Sequence, residues 1–131
     1  MANAFYTKGK EKLLNGDITL NSLKCVLVDG ADYTPNLSTH DALNDVPSGA
    51  RVGTPQALSS ETYTNGVFDA ADVTFPSVTG DPCEYLLIYF DDGVEASSWL
   101  LMLIDTATGL PVTPDGNNIN VTWNASGIFS L

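Results

Sequence analysis

Ser38-Thr39-His40-Asp41 places a hydroxyl, an imidazole and a carboxylate side by side, the three groups that acyl-transfer enzymes use. Such a triad works only when its members converge in space beside an oxyanion hole, and contiguous loop residues do not supply that geometry. A solvent-exposed helix cap is the simpler reading. His40 is the only histidine, so a His-rich metal centre is excluded, and Cys25 and Cys83 are too far apart in sequence to form a zinc motif. The acids offer more. Asp29-Gly30-Ala31-Asp32, Asp91-Asp92-Gly93 and Asp115-Gly116-Asn117 each set oxygens on a tight turn, as calcium requires. None follows the EF-hand spacing, and Asp-Gly is also ordinary β-turn vocabulary. Asp91 and Asp92 invite comparison with a glycosidase pair, but strand neighbours point to opposite faces. With no Gly-rich phosphate loop and no nucleophile elbow, the sequence predicts a protein that is not an enzyme and needs no cofactor.

The elements that carry these residues read as one helix followed by β-structure. Residues 3–14 bring Phe5, Tyr6, Leu13 and Leu14 near one helical face, Gly9 weakens the pattern, and Asn15-Gly16 signals a stop. Residues 23–28 read as a strand. Residues 29–50 form a long polar loop with one helical turn expected near 40–44. Segments 51–58 and 61–68 are weak, polar strand candidates, and 72–78 alternates up to Pro76. The strongest signals are the continuous apolar runs at 85–90 and 99–104, of strand length and patterned like central strands covered on both faces. Ile119, Val121 and Trp123 alternate toward one face. The fold class is mainly β: one domain over 1–131, with a helical arm (1–16) on an antiparallel β-sandwich or jelly-roll-like body (17–131).

Charge is unevenly spread. The chain of 131 residues carries a net charge of −11. Lys8, Lys10, Lys12 and Lys24 face only Glu11 and Asp17 in the first 24 residues, whereas Arg51 is the sole cation among the acids that follow. The body should remain soluble by self-repulsion and is a poor partner for nucleic acid. The basic N-terminal segment is suited either to gripping an acidic partner or to packing on its own body with its lysines solvated. Tyr6 and Tyr33 are the aromatic residues least clearly buried, so Tyr6, Lys8, Lys10, Lys12 and Tyr33 are the expected protein-interface residues. Trp99 and Trp123 lie in strand patterns, where core packing is the expectation. No signal segment or membrane-length run is visible, which makes cytoplasmic synthesis the default and buried free thiols the expectation for both cysteines. The triplets at Asn36, Asn120 and Asn124 then reflect composition, not glycan acceptors.

Several stretches together resemble a group of small tailed-bacteriophage virion proteins. They are Gly66-Val67-Phe68-Asp69-Ala70-Ala71-Asp72-Val73-Thr74-Phe75, Tyr85-Leu86-Leu87-Ile88-Tyr89, the segment from Ile104 to Pro114, and Ile119-Asn120-Val121-Thr122-Trp123 with Gly127-Ile128-Phe129. The opening Met1-Ala2-Asn3-Ala4-Phe5-Tyr6-Thr7-Lys8-Gly9 and the stretches Val26-Leu27-Val28-Asp29 and Tyr33-Thr34-Pro35-Asn36-Leu37 are similar to the same group. These are turn-and-strand signatures and carry no functional residues across. The resemblance implies a virion component, a capsid decoration (cement) protein made in the host cytoplasm that binds the major capsid protein or another virion protein. Small bodies of this kind favour symmetric homo-oligomers. A neck or tail component is the alternative within the same class. A carbohydrate-binding module using Tyr33 or Trp99, and a small hydrolase built around His40, are alternatives from other classes.

Overall fold

In the computed structural model, which describes residues 3–105, 107 and 110–130, the two apolar runs become β6 (Tyr85–Phe90) and β7 (Leu100–Ile104). They pair with each other in the middle of a five-stranded antiparallel sheet of order β1-β7-β6-β2-β3. The remaining members are β1 (Ala4–Phe5), β2 (Leu23–Val28) and β3 (Arg51–Ala57). Two short antiparallel pairs lie apart from this sheet, β4 (Val67–Phe68) with β9 (Phe129–Ser130), and β5 (Val73–Phe75) with β8 (Ile119–Val121). The architecture is mainly β and sandwich-like, with one α-helix, α1 (Thr7–Leu14).

Alternation along the central strands divides the interior into two cores. Leu23, Cys25 and Leu27 of β2 and Leu86 and Ile88 of β6 join Phe68, Phe75, Val121 and Phe129 of the short pairs, and Trp123 beyond β8. Val26, Val28, Leu87, Tyr89, Leu100 and Leu103 point the other way, toward Tyr6, Tyr33, Leu43, Val46 and Ala50. That second face is covered by the start of α1 and by residues 29–50, not by another sheet. The long polar loop is therefore a lid. It carries two single 3₁₀ turns, Leu43–Asp45 and Ser48–Ala50, the first close to the turn expected at 40–44.

The strand readings at 23–28 and 85–90 match residue for residue, and β7 begins one residue later than expected. Two expectations change. The helix begins at Thr7, because Ala4 and Phe5 pair with Leu103 and Met102 and extend the sheet. Segment 61–68 is a strand only at its end, because Asn65 and Gly66 both take left-handed backbone (φ 56° and 76°) and turn the chain.

The position of α1 follows from a β-bulge. Ile88 pairs with Met102 but Tyr89 pairs with Leu100, leaving Leu101 as the extra residue. The freed Leu101 carbonyl accepts the Tyr6 N–H at 2.9 Å, immediately before the helix starts. One turn later, Gly9 rests against β7 so closely that a Cβ there would collide with the Leu100 carbonyl oxygen and Leu101 Cα. Gly9, which weakens the helix on propensity alone, is what allows the helix to lie on the sheet. α1 has eight residues and no side-chain N-cap, so packing holds it rather than intrinsic propensity.

Gly9→Ala should destabilise the fold by about 1–3 kcal/mol, because backbone must move to admit the methyl group. Gly49→Ala, at a glycine with open space around its Cβ position, is the control and should change stability by less than about 0.5 kcal/mol. Urea midpoints of the two variants check the difference.

Candidate functional site

Residues 3–14 do not project as an arm. Their strand, bulge contact and helix make them part of the sheet and its cover, the second of the two roles open to a basic N-terminal segment. Tyr6 and Tyr33, expected as surface contact residues, are core residues exposing 0% and 3% of their surface. Each has an apolar ring and one polar tip, and the two tips satisfy each other inside the protein.

Their hydroxyls lie 2.8 Å apart, and the Tyr33 hydroxyl is 2.9 Å from His40 Nδ1. The Asn36 backbone N–H also donates to Nδ1, at 3.2 Å. A backbone N–H can only donate, so Nδ1 is the acceptor in this arrangement. Tyr33 therefore donates to His40, and Tyr6 donates to Tyr33. This relay fastens the lid to the residue that precedes α1. Asp45 fastens the next part of the lid. Burial works against its charge, yet the backbone N–H groups of Asp41 and Ala42 donate to the carboxylate at 2.8 and 3.3 Å and hold it below the usual carboxylate range. Arg51 completes the attachment, donating to the Leu43 and Val46 carbonyls and forking onto Glu95 at 2.8 and 3.0 Å.

The cations are mostly committed. Lys8 pairs with Glu11 at 3.6 Å, Lys24 with Asp91 at 3.0 Å, and Lys12 with Asp17 at 3.4 Å. Lys12 also lies 4.1 Å from the centre of the Trp99 ring. Among the described residues Lys10 has no ion-pair partner. The basic segment read from sequence is thus reduced to one free ammonium group. With Tyr33 internal and the Trp99 ring under Lys12, neither aromatic forms an open platform for a sugar.

The candidates for chemistry are largely occupied by local structure. His40 is part of the relay, and the neighbouring Ser38 and Thr39 N–H groups donate to Asn36 Oδ1. Asp91 accepts the Gly93 N–H, and Asp92 accepts the Val94 N–H and the Ser98 hydroxyl. Asp115 accepts the Asn117 N–H. The Asp29–Asp32 turn gains a third carboxylate from Asp81, with one oxygen of each acid within 4.8 Å of the others. Oxygens so placed could ligate a hard divalent cation, but Asp32 and Asp81 are exposed, and water serves them equally well. Asp29 itself is buried and accepts the Ala31 N–H at 2.9 Å. Both cysteines are buried and unbonded.

Sequence reasoning missed the structural pairing of Tyr6 with Tyr33, the role of Arg51 and the contribution of Asp81. Partners 27 residues apart for the tyrosines and 44 for Arg51 and Glu95 leave no local pattern to read. Gly9 was visible as an exception to its helix, and the exception was the signal. No protein-family model and no curated protein matches the chain.

Two outcomes test this geometry. Tyr33→Phe should cost about 1–3 kcal/mol, because it leaves the buried Tyr6 hydroxyl without its acceptor, whereas Tyr6→Phe removes only a terminal donor and should cost less. Denaturation of the two variants checks the order. Stability should also fall above pH 9. Burial raises the Cys25 thiol from its ordinary 9.0 to about 12, and raises the Tyr6 phenol above its ordinary 10.0. The unfolded chain then releases protons that the folded chain keeps. The loss is about 1.4 kcal/mol per pH unit for each such group, beginning at its unfolded pKa and ending at its folded one. Urea titrations across the alkaline range measure that slope, and Cys25→Ser should reduce it.

Proposed function

We propose that this chain is a structural, non-enzymatic protein of a tailed-bacteriophage particle, a capsid decoration protein that binds the major capsid protein and stabilises the shell. The likeness of its turn-and-strand segments to small virion proteins supports the reading. The observation that carries it is the commitment of His40, Asp91, Asp92 and Asp115 to the protein's own loops and turns. What such a chain has to act with is its surface. A sheet covered on both faces gives a rigid support for that surface, and among the described residues no helix is long and apolar enough to cross a membrane.

The charge balance points to the partner's character. Because four of the five cations are neutralised within the chain, most of the 16 acids remain to set the surface potential. The shell surface that it meets presents lysines and arginines, and long-range attraction speeds the encounter. Binding across subunit boundaries favours the assembled shell by mass action. Nucleic acid and membrane have no part in this function.

Particles assembled without the protein should disrupt at a temperature several degrees lower than complete ones, a shift of the kind that saturable binding to one state produces. Attachment should weaken as salt is raised past about 0.15 M, where charges further apart than roughly 8 Å are screened. Imaging should find hundreds of copies on the shell; about a dozen copies at one vertex would instead indicate a neck or tail component. Complete particles that contain none of the protein would overturn the proposal.

A further inference from the structure

Two surface features remain unused by the fold. The first is on α1. Leu13 packs against the core while Leu14 stands 84% exposed, and Lys10, one helical turn earlier on the same side, is the lysine with no ion-pair partner among the described residues. The second is an open groove lined almost wholly by apolar atoms of Leu20, Tyr63, Gly66, Val67, Phe68 and Phe129. Tyr63 is 51% exposed there, its ring 5.8 Å from that of Phe68. Asp69 follows Phe68 in the chain and Glu61 lies two residues before Tyr63, and neither acid has an ion-pair partner among the described residues.

We infer that a second copy of this chain docks here, with Leu14 of one copy seated in the Tyr63–Phe129 groove of the next and Lys10 facing Glu61 or Asp69. The features match in kind: a single aliphatic knob with an unpaired cation one turn away, and an aliphatic-aromatic groove whose chain neighbours include two acids without an ion pair among the described residues. Burying Leu14 removes exposed apolar surface at both partners, and the Lys10 contact fixes orientation. Knob and groove lie on different parts of the chain. The contact is therefore either made twice in a reciprocal dimer or repeats head to tail, closing a ring or running on as an open filament. Net charge opposes association at low ionic strength, so the contact is strongest where salt screens the long-range repulsion between copies. The inference concerns the free protein and does not require the shell.

Sedimentation of the purified chain at physiological salt provides the test. The expected result is a concentration-dependent oligomer. Leu14→Asp and Tyr63→Asp, both at exposed side chains, should each weaken association at least about tenfold while leaving the circular dichroism spectrum unchanged. Lys10→Glu should weaken it too, and adding Glu61→Lys or Asp69→Lys should restore part of the loss. A wild-type chain that sediments as a monomer at millimolar concentration overturns the inference, as does an oligomer equally stable in folded Leu14→Asp. Because no capsid is present, either result is independent of whether the protein decorates a shell.

Discussion

Two pieces of backbone meet directly at one point of this protein. At Gly9 the helix touches β7 with no side chain between them, at the point where the Leu101 bulge interrupts the ladder. Much else depends on that contact. It fixes the height of α1 over the sheet, and so places Tyr6 where its hydroxyl can reach Tyr33. Tyr33 in turn positions His40, and with it the loop that covers one whole face of the sheet. An ordinary side chain at position 9 would lift the helix and pull on every member of that sequence.

The lid shows how a polar loop can serve as a core layer. Residues 29–50 are rich in Asp, Asn, Ser and Pro, yet they contribute Tyr33, Leu43, Val46 and Ala50 to the second core. A loop in that position must satisfy its backbone without a sheet to help. It does so with side chains: Asp45 serves the N–H groups of Asp41 and Ala42, Asn36 those of Ser38 and Thr39, and Arg51 the carbonyls of Leu43 and Val46. Two of the residues that suggest metal or hydrolytic chemistry by type share this task, Asp29 accepting the Ala31 N–H and His40 the Asn36 N–H. Their composition is that of a site; their geometry is that of scaffolding.

How legible the protein is from its sequence varies with the range of the interaction. The apolar runs of β2, β6 and β7 are visible because a strand buried on both faces must be hydrophobic at every position. The Asn15-Gly16 stop is visible because a helix end needs left-handed backbone, and Gly16 has φ 88°. What covers each face is not visible, since a loop that serves as a lid and a loop in solvent can share a composition. The surface placement expected for Tyr6 and Tyr33 changes for a related reason. Tyr6 and Tyr33 look surface-directed because one lies in the basic N-terminal segment and the other in a polar loop, and their mutual hydrogen bond satisfies the hydroxyls that burial would otherwise strand. Lys8 and Lys12 look free until their acidic neighbours are seen to reach them.

The pairing of β1 with β7 has a consequence for synthesis. Ala4 lies opposite Leu103, and Phe5 stacks edge-on against Phe129, 4.9 Å between ring centres. Ala4 and Phe5 thus lack these partners until residues 102–129 have been made. Central strand β2 likewise waits for β6. Contacts of such long sequence separation make folding slow and leave apolar strands uncovered during translation. β1 can therefore join the sheet only after β7 has been made.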